Sequence, residues 1–369
     1  MKVVKSQVAR SDFPRPLRIL WLMVATGICA AVVLTGCAVS PADPGITVLR
    51  FADGFPPSHP ISKGGSAVFV DELRKNGPAV DLVIEYFPNS QLGKNKDATA
   101  MLTTGIADIT GVVPAYLASQ MPLSSVFDLP GNTDDACIGA RAVSKSVSQA
   151  TTLGRTEVEK VSITPLWSVL VPGYELMTAR DQPVREPSEM HGAILRSPGG
   201  AVDRLVHDMG AAGVSMPLGE MYEAISRGTV DGTVASPISM APYKLSEVLR
   251  HSTIGARLGS VTGLYSMSSA TFDRLTEPQR NVVRAAAAKA EASACELLNK
   301  RLIESRHQMA ADGTVLDILN GQQQQAWTAL AEPARQRWSS DLDAMGLPAS
   351  EVLSEWDRTL NQEMRTHER

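Results

Sequence analysis

The chain has 369 residues, 44% of them apolar, and a formal net charge of −4 at pH 7. That length suits two domains better than one, and the acidic balance argues against nucleic acid or an anionic membrane as the main partner. Five basic residues and one acid fall before residue 37, which leaves −8 for the remainder.

The first element is a leader. Lys2, Lys5, Arg10, Arg15 and Arg18 precede an almost unbroken apolar run over 19–34, which ends in Leu34-Thr35-Gly36-Cys37. This tripartite pattern predicts a lipoprotein signal peptide over 1–36, removed so that Cys37 becomes the lipidated first residue. The apolar run is shorter than the roughly 20 residues a spanning helix needs. The expected location is therefore outside the cytoplasm, tied to a membrane by lipid. Residues 37–45 read as a Pro-rich linker.

Strand and helix then alternate. Strands are predicted over 47–52, 80–87 and 106–113, with helices over 62–76 and 94–104 between them, the latter ended by Gly105. Residues 162–171 and 175–178 read as extended. A strand over 193–196, a helix over 201–209, a strand over 214–216 and a helix over 220–227 follow. This is α/β order. One pattern occurs twice: Leu92-Gly93, a helix, Gly105-Ile-Ala-Asp108 and a strand, then Leu218-Gly219, a helix, Gly228-Thr-Val-Asp231 and an extended stretch. Two matching α/β lobes facing a cleft are the economical reading.

The last third differs. Thr276-Glu277-Pro278-Gln279 has the shape of a capping box, and no Gly or Pro interrupts the run from there to about residue 311. A helix of that length would extend roughly 50 Å, enough to brace two domains. Beyond it, Trp327, Trp338 and Trp356 lie at helical periodicities and read as packing anchors of a small helical cap. Cys29 and Cys37 belong to the leader. Cys137 and Cys295 form either one long-range disulfide or two inert buried thiols, and spacing leaves both open.

No G-x-S-x-G, H-E-x-x-H, P-loop or G-x-G-x-x-G is present, and the six histidines are scattered. Asp134-Asp135 reads as favourable charge at a helix start. No catalytic, metal or cofactor site is predicted. The best ligand candidate is Arg196, where a strand runs into Ser197-Pro198-Gly199-Gly200 and a helix. Free N–H groups at a helix start attract anions, and a guanidinium beside them can grip a carboxylate.

From Leu49 to Arg250 the chain resembles the solute-binding proteins of TRAP transporters, of the dicarboxylate-receptor type. The resemblance rests on His59-Pro60, on Tyr86-Phe-Pro-Asn-Ser-Gln-Leu-Gly93, on Gly105-Ile-Ala-Asp108 and on Asp128-Leu-Pro130. It continues through Met190-His-Gly-Ala-Ile-Leu-Arg196, Met216-Pro-Leu-Gly-Glu-Met-Tyr222 and Gly228-Thr-Val-Asp-Gly232. It implies a two-lobed periplasmic-binding-protein-like fold with a hinge and a long helix spanning both lobes. The first lobe would take 46–168 and 262–300. The second would take 169–261 and 301–369, C-terminal helices included. It further implies a receptor without catalysis that delivers a small organic acid to a TRAP-type permease. The family's key arginine falls on Arg196, and other cleft positions fall near Phe55, Val113, Trp167, Tyr174, Gly199, Leu218 and Ser236. Glu175 stands where many relatives carry a second ligand-facing arginine. A glutamate facing the cleft would repel a second carboxylate or attract an amine, so the expected ligand is a monocarboxylate, with an amino or hydroxyl group allowed; the other reading is that Glu175 points away from the cleft. Rival readings are a binding protein of an ATP-driven transporter or sensor, an extracytoplasmic enzyme, and a structural lipoprotein.

Overall fold

The computed structural model describes residues 45–367; the leader, its cleavage site and Cys37 lie outside them. The strands are β1 (Thr47–Ala52), β2 (Leu82–Phe87), β3 (Ile109–Val112), β4 (Ile163–Val171), β5 (Glu175–Thr178), β6 (Ile194–Ser197), β7 (Ala212–Ser215), β8 (Gly232–Ala235), β9 (His251–Ile254), β10 (Val261–Ser268) and β11 (Val315–Ile318). They form two sheets, ordered β2-β1-β3-β10-β4 and β11-β9-β5-β8-β6-β7. Each sheet is the centre of one α/β lobe.

The repeated sequence pattern has a structural cause. In the first sheet Asp108 accepts a hydrogen bond from Arg50 N at 2.9 Å and returns its own N–H to Arg50 O at 2.8 Å. In the second, Asp231 accepts from Ile194 N at 2.8 Å and returns its N–H to Ile194 O at 2.7 Å. Each aspartate thus ties the turn after a helix to a neighbouring strand through the same two-bond ring. Gly105 and Gly228 end the preceding helices with φ of +70° and +67°, the left-handed conformation that glycine adopts without steric cost.

Three segments cross between the sheets. Residues 172–174 and 255–260 run side by side, joined by Tyr174 N to Gly259 O at 3.3 Å and Leu258 N to Tyr174 O at 3.0 Å. Gly259 has φ +122°, and a Cβ there would fall 2.4 Å from Asp128 O, so this one position of the crossing admits no side chain. The third segment is the helix Glu277–Ala311, continuous over 35 residues. Its predicted cap is present: Thr276 Oγ1 accepts from Gln279 N, and Gln279 Oε1 accepts from Thr276 N. Its N-terminal half packs on the helix Ala67–Asn76 and the wide turn over 62–66 that opens it. Gly64 and Gly65 allow that approach, since a Cβ on Gly64 would lie 3.0 Å from Ala294 Cα. The C-terminal half reaches the second lobe, where it contacts β11 and the turn Pro237–Ser239.

Cys137 and Cys295 form a disulfide, with Cα atoms 4.7 Å apart; of the two options left open by spacing, the structure takes the bond. It joins the helix Ala136–Ser146 to the long helix. Asp135 caps that first helix, accepting from Cys137 N and Ile138 N, as its position suggested. The three tryptophans of the C-terminal region are buried, and each indole N–H finds an acceptor: Arg185 O for Trp327, Ser125 Oγ for Trp338 and Asn132 Oδ1 for Trp356. The last two helices, Ala331–Ala344 and Ala349–His367, carry Trp338 and Trp356 into one apolar cluster with Leu123, Phe127 and Val143 of the first lobe.

β9, β10 and β11 were not foreseen. β10 is buried almost throughout and so lacks the alternation that reveals a half-exposed strand. The other two have four residues each, too few for a periodicity. Among the described residues no helix is long and apolar enough to cross a membrane.

Candidate functional site

Arg196 stands near the C-terminal end of β6, one residue before the glycine-bearing turn that opens the helix Gly200–Asp208. Its exposure is 0%. Nε and Nη2 donate to Met216 O at 3.0 and 2.8 Å, and Nη1 donates to Val234 O at 3.4 Å. A guanidinium has five N–H groups, so part of its donor capacity is unused. No carboxylate among the described residues lies within ion-pair distance of it. Burying an unpaired charge is costly by several kcal/mol, and carbonyl oxygens offset only part of that. The arrangement is one that a bound anion would complete.

The surroundings come from both lobes. Gly199 has φ +104°, and a Cβ there would meet Ala115 O at 2.4 Å, so only glycine lets the second lobe close to this depth on the turn Pro114–Leu117. Val113 immediately precedes that turn and is buried. Leu218, the first residue of the helix Leu218–Ser226, is buried. Ser236 is buried too, but its hydroxyl donates to Pro172 O in the crossing segment at 2.9 Å. Phe55 stacks on His59 with ring centres 4.8 Å apart. His59 Nδ1 accepts from Ile61 N, and Nε2 meets Ser239 Oγ of the second lobe at 3.3 Å. Burial pushes the His59 imidazole down to about 3, so the wall is uncharged at neutral pH.

Two of the sequence-derived positions lie elsewhere. Glu175 does not offer a free acid to a ligand. Its Oε1 accepts from Arg306 Nε at 2.8 Å and also from Nη2, and its Oε2 accepts from Ser252 Oγ at 2.9 Å. Burial raises its carboxyl above the ordinary range and the Arg306 charge opposes that. The expectation that Glu175 would repel a second carboxylate therefore loses its basis. Trp167 lies within the first lobe's aromatic cluster, stacked on Tyr265 with centres 4.5 Å apart and 4.5 Å from Phe69.

Sequence reasoning named Tyr174 but missed the two tyrosines that accompany it. The chain has six, and three of them, Tyr116, Tyr174 and Tyr243, come together near Arg196. Tyr174 is close enough to Tyr116 and Arg196 to feel their charge, and Tyr243 feels Tyr116, Asp53 and Arg196 at once. Burial raises both phenols far above their ordinary value. The hydroxyls of Tyr116, Tyr174 and Tyr243 make no hydrogen bond to any described residue. The signal available was scarcity, because few aromatic hydroxyls in so long a chain are expected to meet by chance.

Comparison with known proteins agrees with this geometry. The family model for bacterial extracellular solute-binding protein, family 7, matches residues 51–341. A solute-binding protein of Albidiferax ferrireducens is 27% identical over 258 residues, which are 69% of this chain and 74% of that protein. The C4-dicarboxylate-binding periplasmic protein DctP of Rhodobacter capsulatus is 30% identical over 214 residues, 56% of this chain and 61% of that one. A TRAP solute-binding protein from Rhodoferax ferrireducens, crystallised with benzoate, superposes with a TM-score of 0.77 at 19% identity, covering 87% of this chain and 99% of that one. A marine metagenome protein crystallised with 3-hydroxybenzoate gives 0.78 at 20% identity, covering 86% and 99%. Two α/β lobes closed over a buried, unpaired arginine, with a family match across most of the chain, place this protein in bacterial extracellular solute-binding protein family 7.

Proposed function

We propose that the protein is a receptor that encloses a small monocarboxylate between its lobes and delivers it to a TRAP-type membrane permease. The observation that carries this is Arg196: it is the one fully buried cation among the described residues, and it has no acid partner. A single unpaired guanidinium is matched by a single carboxylate. The lobes are divided close to the expected bounds, 46–168 with 262–300 and 169–261 with 301–369, with the end of β4 to Val171 and the start of β10 at Val261 going to the first lobe, against which the last two helices also lie. Closure is driven by the ligand's greater affinity for the closed arrangement. The protein itself performs no chemistry. Cys37, lipidated after removal of residues 1–36, holds it on a membrane, where a tether raises its effective concentration beside the permease.

Ligands of similar receptors include both kinds of acid: one was crystallised with succinate, while others hold one carboxylate on a compact body. Benzoate and 3-hydroxybenzoate were found in two of them, and the flat Phe55–His59 wall here suits such a ring. A thermal-shift screen of mono- and dicarboxylic acids, followed by calorimetry, tests the reading. A matching acid at 100 times its Kd should stabilise the protein by about 2.7 kcal/mol. Succinate binding more tightly than every monoacid would overturn the monocarboxylate assignment.

A further inference from the structure

The two lobes are built on the same three-strand unit. In the first sheet β1 pairs in parallel with β2 on one side and β3 on the other, and in the second β6 pairs in parallel with β7 and β8 in the same way. The Leu-Gly steps of the sequence repeat occupy the same place in each unit, Leu92-Gly93 after β2 and Leu218-Gly219 after β7. The next residue is Lys94 in one copy and Glu220 in the other. Two like units that face each other can bring equivalent positions together, as a two-fold interface does. Here they meet: Lys94 Nζ donates to Glu220 Oε1 at 2.8 Å, across 126 positions of chain. Like charges at that distance would repel as strongly as these attract, so the repeat is broken at the one residue where identity would push the lobes apart.

Each end of the pair stands on an anchored segment that leads to the cleft. Asn95, beside Lys94, is buried, and its side chain fills the space that a Cβ on Gly54 would need. Asn89 N donates to Phe55 O at 3.0 Å, which ties the run before Lys94 to the Phe55 wall. Glu220 lies in the first turn of the helix Leu218–Ser226, where the helix dipole favours an acid. Met216, whose carbonyl accepts from Nε and Nη2 of Arg196, lies in the run that leads into that helix. The pair therefore joins the Phe55 wall of one lobe to the Arg196 side of the other. We propose that Lys94 and Glu220 form a clasp at the rim of the cleft, made as the lobes close and broken as they part, which favours the closed state whatever acid is enclosed. This rests on the two-lobed closure proposed above. Both side chains stay partly open to water, so the clasp is weak, about two- to fivefold in the balance of states, and is screened by salt. Closure is thereby biased while the ligand still decides it.

The test is pulsed electron paramagnetic resonance on the purified protein, with spin labels at Ala100→Cys and Ser226→Cys, exposed positions on the equivalent helices of the two units. Lys94→Glu and Glu220→Lys should each lower the closed-to-open ratio about two- to fivefold, and the double reversal should restore it. Arg227→Glu breaks a pair within one helix and changes net charge as Lys94→Glu does, yet should leave the ratio in place. Raising NaCl from about 20 mM to about 500 mM should bring the unaltered protein toward the single reversals. Calorimetry with benzoate reads the same balance. Both single reversals should weaken binding, whereas a long-range effect on the anion would weaken it in Lys94→Glu and strengthen it in Glu220→Lys. Lobe distances and benzoate affinities that ignore the reversals overturn the clasp. So do affinities that move in opposite directions, or a double reversal that restores neither readout. In each case the carboxylate reading stands wherever an acid binds. Distances that follow the charges while no acid binds overturn the carboxylate reading and leave the clasp.

Discussion

Two arginines adjoin the second sheet, and they are solved differently. Arg306, on the long helix, meets a buried acid of its own chain, with Glu175 accepting from Nε and Nη2. Arg196, more deeply buried, meets only the carbonyls of Met216 and Val234. Ion pairing of the first kind closes an electrostatic circuit within the fold. Leaving the second open is a standing cost, tolerated where a diffusible anion completes it. The contrast separates a cation partnered within the fold from one left for the carboxylate proposed above.

The sharpest way to break this comparison is to remove the structural member. Arg306→Met strands the buried Glu175 and should lower unfolding stability by about 3 kcal/mol or more, read by urea denaturation, with ligand preference unchanged. A collapse of ligand affinity without loss of stability would reverse the two roles. Removing the Cys137–Cys295 bond by a double Cys→Ala change should cost about 2–4 kcal/mol, because it frees the helix that presents Arg306 from the first lobe. Melting temperatures with and without reductant give the same information. Arg196→Met should do the opposite of Arg306→Met, weakening ligand binding by about 1.5–3 kcal/mol while stability without ligand stays level or rises. Arg196→Lys should recover only part of the affinity, since a point charge cannot make two parallel bonds.

The smallest effect concerns pH. His59 is held neutral in the same cleft, down to about 3 from an ordinary 6.5. Its folded-state value is depressed, so its contribution is complete above about pH 6.5 and is lost as the pH falls toward 3. Unfolding free energy should drop by about 2 kcal/mol between pH 7.5 and pH 5, and His59→Gln should flatten that part of the profile. An unchanged slope in the variant would show that another group titrates there.

The parts legible in the sequence were those whose partners are near in the chain. Arg196 stood out because a strand, a turn and a helix are read from consecutive residues. The twin Asp108 and Asp231 turns were visible as a repeat, although the rings they close with Arg50 and Ile194 were not. Glu175 was misread because its partner lies 131 positions away, and the Cys137–Cys295 bond spans 158. Periodicity carries no information about such distances. Tyr116 and Tyr243 follow Pro-Ala and Ala-Pro in short turns, where nothing local distinguishes a cleft residue from a surface one. Asp53 likewise reads as an ordinary strand-end acid until the fold brings Ser62 and Tyr86 to it.

The long helix has a mechanical consequence. It is an unbroken rod about 52 Å long, fastened near its midpoint to the first lobe by Cys295 and gripped toward its far end by Glu175 through Arg306. A rod crossing between two bodies turns a hinge into a sprung joint. In the closing motion proposed above, the rod must flex or its far end must slide across the second lobe. The stiffness of one helix then counts beside the two thin crossing segments, and a single glycine introduced between Cys295 and Arg306 should soften the joint.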